Sequence, residues 1–110
     1  MASRPPIPDA SRTSTQREIA RIAEMRGVHA AFAYLHNQEL EFRRWQRELT
    51  EIPAPPFGEA ARSEWLRHRF TALGLENVQV DALGNVLGTL HGKPAAPMVG
   101  ISAHLDTVFL

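Results

Sequence analysis

The sequence contains no cysteine, no net charge and no long apolar run, and each absence excludes a kind of protein. Without cysteine, disulfide bonds cannot hold the fold. The 12 basic residues balance the 12 acidic residues, so no overall field attracts nucleic acid or an anionic membrane, and we expect neither as a partner. The longest uninterrupted apolar run, Ala30 to Leu35, is far shorter than the roughly 20 residues of a membrane-spanning helix.

The chain also lacks the apolar stretch that a secretory signal would place near Met1. Together with the absence of cysteine, this favours a cytoplasmic location. What is present is an ordinary globular composition, with 44% apolar and 22% charged residues, which argues against disorder along the whole chain. At 110 residues the chain could form one small domain.

The first part of the chain has helical periodicity. Residues 1–12 carry three prolines and no periodicity, which predicts a mobile tail ahead of a domain over residues 13–110. We expect helices from Ser14 onward, over residues 28–35 and 38–51, and, after the proline-rich loop of residues 52–58, from Glu59 to about Leu73. The side chains expected to pack inward are Ile19, Ile22, Ala23, Ala31, Phe32, Leu35, Phe42, Trp45, Leu49, Ile52, Ala61, Trp65, Leu66, Phe70 and Leu73.

After Gly74 the apolar period changes from helical to alternating. Residues 78–80 and 86–90 alternate, and the DALGN turn of residues 81–85 separates them, which predicts a pair of strands joined as a hairpin. A third strand is expected over Met98 to Ala103, whose apolar residues are typical of a buried strand. The prediction is therefore an α/β fold, with helices first and then about three strands.

His104 and Asp106 directly follow this third expected strand. In open α/β sheets the reactive groups lie beyond the carboxyl ends of strands. Two residues apart on extended backbone, the two side chains point to the same side. This suits an imidazole that binds a metal through one nitrogen and donates to Asp106 through the other. A metal site needs about three protein ligands, and no other cluster of ligand residues is present at suitable spacing, so any site here is incomplete.

A series of short motifs resembles one enzyme family. The matching residues are IPAP at 52–55 with Glu59, Gly74-Leu75, Asp81 with Gly84-Asn85, Gly92, and SAHLDTVF at 102–109. In this order they resemble the zinc-dependent exopeptidase and amidohydrolase family, the M-twenty peptidases. That family contains peptidase T, glutamate carboxypeptidase, acetylornithine deacetylase and succinyl-diaminopimelate desuccinylase. The resemblance covers about residues 48–109.

The resemblance implies an α/β/α catalytic domain that holds two zinc ions, with a smaller lid or dimerisation domain inserted. His104 matches the family's first metal ligand, and Asp106 matches the catalytic-site carboxylate that orients it. The other ligands and the glutamate that serves as general base lie further along in family members. The resemblance therefore implies the amino-terminal portion of a metallopeptidase or deacylase, inactive alone, whose complete form cleaves a peptide or acyl-amino acid and could be a homodimer.

The residues also leave a second interpretation open. The chain could be a non-enzymatic helical interaction module in which Phe32, Trp45 and Trp65 form an exposed binding face. The cluster of arginines at 43, 44 and 47 could suggest a phosphate site, but glutamates surround it at helical spacing, which favours a solvated, salt-bridged surface. Among the enzymes, the stretches IPAPPFGE and AHLDTVF favour a peptidase T-like protein.

Overall fold

The computed structural model describes residues 12–108. Within this range, four helices precede two strands: α1 (Ser14–Ala23), α2 (Arg26–Asn37), α3 (Glu39–Glu51), α4 (Ala60–Ala72), β1 (Glu76–Val80) and β2 (Val86–Thr89). The prediction of a mixed α/β chain with its helices first is confirmed. The tail predicted for residues 1–12 lies, except for Arg12, outside the described residues, so it stays a prediction. The expected α/β/α zinc domain likewise stays a prediction.

The chain divides into two compact units, and the boundary between Phe42 and Arg43 falls within α3. In the first unit, Thr13 begins α1 with a capping box. Its hydroxyl accepts from the Gln16 backbone N–H at 3.2 Å, and the Gln16 side chain accepts from the Thr13 N–H at 2.8 Å. These reciprocal bonds satisfy two N–H groups that a helix start leaves unpaired.

The apolar side chains of the first unit are not packed as the sequence predicts. Neither α1 nor α2 contains a buried residue, and Phe32, expected to pack inward, is 60% exposed. Ile19, Ile22 and Leu35 are exposed as well. Periodicity shows that a helix has an apolar face but not whether another element covers it. Two helices of 10 and 12 residues offer each other too little surface to bury both faces.

In the second unit, α4 packs on the hairpin formed by β1 and β2. Gly74 makes this possible because its φ of 83° ends the helix and turns the chain back. The Gly74 N–H donates to the Thr71 carbonyl at 3.0 Å, and the Leu75 N–H donates to the Phe70 carbonyl at 3.1 Å. Both bonds belong to the Schellman motif, and the helix end predicted at about Leu73 is confirmed.

The predicted hairpin is also confirmed. Its strands are antiparallel, with Val80 opposite Val86 and Gln79 opposite Leu87. The register shifts between Glu76 and Gln79, where Asn77 adopts a φ of 51°. Asparagine tolerates this left-handed conformation better than most residues, which accounts for an irregularity of the bulge type at this position.

The third predicted strand is wrong within the described residues. Residues 98–103 form neither a strand nor a bridge, and Met98 and Ile101 are each 96% exposed. A strand requires a neighbour with which its backbone can exchange hydrogen bonds, and no described strand lies beside this segment. The apolar residues of this segment are typical of a buried strand, but no described element covers them.

The centre of the second unit is small and unusually polar. Among the described residues, Ala54 is the one fully buried apolar residue, and Arg62 and Ser63 of α4 are buried too. Trp65, Leu66 and Phe70, expected to face inward, are partly buried, whereas Ala61 and Leu73 are exposed. The inward face of α4 is therefore centred nearer Arg62 than Ala61.

Replacing Gly88 with alanine is expected to destabilise the second unit. A Cβ atom at Gly88 would lie 3.0 Å from Cδ2 of Phe70 and 3.2 Å from Cδ1 of Leu75, closer than ordinary van der Waals contact. Overpacking of this kind costs about 1–3 kcal/mol. The free energy of unfolding, measured by urea titration, should fall by that amount in Gly88→Ala. It should change little in Gly92→Ala, where a Cβ would meet nothing within 4 Å. Equal stability of the two variants would show that Phe70 moves aside without cost.

The hairpin turn depends on the Asp81 carboxylate. It accepts from the Asn85 side chain and from the backbone N–H groups of Leu83 and Asn85, each at 2.9 Å. The hydrogen bond from the Asn85 side chain, followed by the backbone bonds, holds the pKa of Asp81 below its usual value. Because the pKa is lower in the folded than in the unfolded chain, this stability is present above about pH 4 and is lost as the pH falls through the lowered pKa.

We therefore expect Asp81→Asn to flatten the dependence of melting temperature on pH below about pH 4. Asn85→Ala should flatten it in part, because it removes only the side-chain donor. Thermal unfolding followed by circular dichroism at a series of acidic pH values measures both effects. If both variants keep the wild-type slope, the acid sensitivity of the chain arises elsewhere.

Candidate functional site

His104 and Asp106 lie in contact, although the backbone around them is not part of a strand. Nδ1 of His104 is 3.2 Å from Oδ1 of Asp106 and 3.0 Å from the Asp106 backbone carbonyl oxygen. The His104 side chain is 84% exposed, whereas that of Asp106 is 31% exposed. The structure thus brings together the two residues selected from the sequence; their roles in metal binding and catalysis stay predictions.

The two contacts determine which nitrogen of a neutral His104 carries the proton. A backbone carbonyl can only accept a hydrogen bond, so Nδ1–H must be the donor to Asp106. In the neutral ring, Nε2 then keeps its lone pair, which is the form that binds a metal. A carboxylate at Nδ1–H also raises the basicity of the opposite nitrogen. The pair therefore has the chemistry of a metal ligand with its orienting carboxylate.

Three contacts hold the backbone on either side of Asp106. The Thr107 N–H donates to the Ala54 carbonyl oxygen at 2.8 Å. Nη1 of Arg62 donates to the Leu105 carbonyl oxygen at 2.8 Å and to Oγ1 of Thr107 at 3.2 Å. Segment 104–107 is therefore attached to the loop after α3 and to the first turn of α4, despite its distance from them in sequence.

A complete metal site is not formed by the described residues. Between residues 12 and 108, no three or more His, Cys, Asp or Glu side chains lie close enough together to hold an ion. A protein zinc site uses about three or four ligands, so one imidazole with its orienting carboxylate does not fit a whole site. No step of a metal-dependent reaction is therefore assigned to these residues.

The other two histidines of this unit, His68 and His91, are exposed and pair with glutamates. His68 lies 3.1 Å from Glu64, and His91 lies 3.1 Å from Glu76, with exposed side chains in both pairs. The Arg67 guanidinium donates to Glu64 and lowers the pKa of that carboxyl. Glu59 is the N-terminal cap residue of α4, and its carboxylate accepts from the Phe57 N–H at 2.8 Å.

Trp45 and Trp65 flank the guanidinium of Arg69. The Arg69 Cζ atom lies 4.7 Å from the centroid of the Trp45 ring and 5.1 Å from that of Trp65. Arg69 also reaches Glu48, at 3.5 Å, and Glu48 lies 3.7 Å from Arg44. The salt-bridged surface predicted for α3 is thus confirmed for Arg44. Both tryptophans are partly buried and contact a cation of their own unit, so they do not form the open binding face of the second interpretation.

Arg62 is the residue at this site that sequence reasoning missed. It is 2% exposed, and its hydrogen bonds reach both the loop after α3 and segment 104–107. A signal was available, because Arg62 lies three and four residues before Trp65 and Leu66, in phase with the apolar face of α4. A charged residue in phase with an apolar face is either at an edge or buried with partners. Here it is buried with partners.

Comparison with known proteins finds similar sequences in much longer chains. Over 58 residues, 52% of this chain, it is 47% identical to a peptidase T-like protein of Rhizobium meliloti (strain 1021). Over 70 residues, 64% of this chain, it is 29% identical to the uncharacterized protein YgeY of Escherichia coli (strain K12). The matches span 14% and 17% of these relatives. No family model matches the chain.

These findings support a peptidase T-like relationship for about half of the chain. A separate observation concerns membranes: among the described residues, no helix combines the length and apolar character needed to cross one.

Proposed function

We propose that this chain contributes the first metal ligand and its orienting carboxylate to a zinc-dependent peptidase or amidohydrolase. The observation that carries the proposal is the 47% identity with a peptidase T-like protein. The contact between His104 Nδ1 and Asp106 supports it, because this contact leaves Nε2 as the metal-binding nitrogen. The remaining ligands would be supplied by further sequence of a longer protein.

The proposed reaction is hydrolysis of an amide or peptide bond, with a peptide or an acyl-amino acid as substrate. Zinc, when bound, would supply a water acidic enough to ionise near neutral pH and would polarise the substrate carbonyl. The role of this chain is narrower. His104 would bind one of two zinc ions, and Asp106 would keep the imidazole in the required tautomer.

The decisive test begins with the coding sequence after Leu110. We expect it to continue into a long α/β chain with an aspartate, adjacent glutamates and a late histidine that complete the metal set. That longer protein should hydrolyse a dipeptide or an acyl-amino acid, lose activity with a chelator and regain it with zinc. A stop codon directly after Leu110, or hydrolysis unaffected by the chelator, would overturn the proposal.

The 110-residue chain alone is expected to bind zinc weakly and to show no hydrolysis. One imidazole with one outer carboxylate falls short of the ligand number that holds zinc tightly. Isothermal calorimetry of the purified chain with zinc measures this, and His104→Ala distinguishes binding at this residue from binding elsewhere. Stoichiometric nanomolar binding by the wild-type chain would contradict the expectation.

A further inference from the structure

Arg62 holds the residues on both sides of Asp106. One Nη atom donates to the Leu105 carbonyl oxygen and to Oγ1 of Thr107. The opposite edge of the guanidinium, through Nε and the other Nη atom, donates to the Ile52 carbonyl oxygen. A planar guanidinium with donors in fixed directions can therefore keep the loop after α3 and segment 104–107 in one spatial relation.

Arg62 and Ala54 together hold the two residues next to Asp106. The Leu105 carbonyl oxygen and the Thr107 hydroxyl accept from Arg62, and the Thr107 N–H donates to the Ala54 carbonyl oxygen. With both neighbours held, Asp106 presents its carboxylate, at 3.2 Å, and its backbone carbonyl oxygen, at 3.0 Å, to Nδ1 of His104.

We propose that Arg62 is a positioning residue that sets the hydrogen bond from His104 to Asp106, and so determines which imidazole nitrogen is available to a metal. It does this from the buried side of segment 104–107, without contact to either ring nitrogen. The inference rests on the proposed function only in taking His104 as a metal ligand. The effect of Arg62 on the imidazole itself is measurable without any metal.

The test is the tautomer of His104 in the 110-residue chain, read from the ¹⁵N chemical shifts of its imidazole at a pH where the ring is neutral. His104→Gln identifies the resonances. In the wild type we expect Nδ1–H to be the major tautomer, as the contacts to Asp106 require. In Arg62→Met we expect Nε2–H to become the major form, because the backbone that presents Asp106 is released.

Ser63→Ala is the matched control. Ser63 is buried next to Arg62 and donates to the Gly84 carbonyl oxygen at 2.8 Å, so its loss removes a buried hydrogen bond of the same helix turn without touching segment 104–107. The His104 tautomer should stay as in the wild type. If Ser63→Ala shifts the tautomer as far as Arg62→Met does, general loosening is the cause and the inference is overturned.

Thr107→Val decides the matter if Arg62→Met does not fold, as judged by loss of the hairpin amide signals. It removes one acceptor of Arg62 and keeps the shape of the side chain, so we expect a smaller shift toward Nε2–H. If Arg62→Met folds and the His104 tautomer is unchanged, the inference is overturned. If Arg62→Met does not fold, an unchanged tautomer in Thr107→Val overturns it. Either result leaves the proposed function standing, since that depends on zinc-dependent hydrolysis by the longer protein.

Discussion

His104→Ala, made in the longer peptidase-type protein proposed above, is expected to lose one of two zinc ions and to reduce hydrolysis to background. The substitution removes a ligand, and residues 12–108 contain no cluster of three or more potential ligands from which a replacement could come. Added zinc should not restore activity. Metal content by mass spectrometry and rate against free zinc measure the two effects.

Asp106→Asn provides the graded comparison. The amide oxygen can still accept from Nδ1–H, but the negative charge that strengthens the ligand is lost. Changes to such outer partners cost about 10- to 100-fold in metal affinity or activity, so this variant should be impaired and partly rescued by zinc. An Asp106→Asn enzyme that behaves as wild type would disprove the orienting role.

His91→Ala is the matched control for both variants, because His91 is an exposed histidine whose contact is with Glu76 rather than with segment 104–107. It should keep both metals and its full rate. Circular dichroism of all three variants excludes misfolding as the cause of any loss. If His104→Ala retains both ions and its rate, His104 is not a ligand and the peptidase proposal fails with it.

Arg62→Met is expected to remove most of the stability of the second unit. The partly buried carbonyls of Ile52 and Leu105 would lose their guanidinium donor, as would the Thr107 hydroxyl. Each buried polar group left unpaired costs about 1–3 kcal/mol, and methionine fills the space without replacing a donor. Because the three acceptors are only partly buried, we expect the low end of this range, a total loss of about 3 kcal/mol. Whole domains have about 5–15 kcal/mol, and small units lie at the low end.

Urea unfolding followed by tryptophan fluorescence measures this loss, because Trp45 and Trp65 both lie in the second unit. Arg67→Met is the control on the same helix. Arg67 pairs with Glu64 at the surface, where such a pair contributes little. The midpoint of Arg67→Met should stay near that of the wild type. If Arg62→Met unfolds at the same urea concentration as the wild type, water replaces the guanidinium without cost. The second unit is then held by its apolar contacts instead.

Local signals in the sequence predicted the elements whose hydrogen bonds are short-range. Gly74 ends α4 because only its own backbone and the preceding turn are involved. The DALGN turn joins β1 to β2 because the Asp81 carboxylate bonds residues within the same turn. The Arg44–Glu48 pair follows from helical spacing in the same way. Each of these features needs only the residues within a few positions of it.

The sequence alone also determined that His104 and Asp106 would be neighbours, because side chains only two positions apart are always close together in space. It did not determine what covers an apolar face. The exposure of Met98 and Ile101, and of Phe32 in the first unit, depends on which partners the chain brings to them. Periodicity carries no information about partners.

The burial of Arg62 was decided by the tertiary structure alone. Its acceptors lie 10 residues before it, at Ile52, and 43 and 45 residues after it, at Leu105 and Thr107. No local pattern encodes contacts across such distances. A guanidinium is tolerated in the interior only where carbonyl and hydroxyl oxygens converge on it from separate segments. That convergence exists only once the loop after α3, the start of α4 and segment 104–107 have come together.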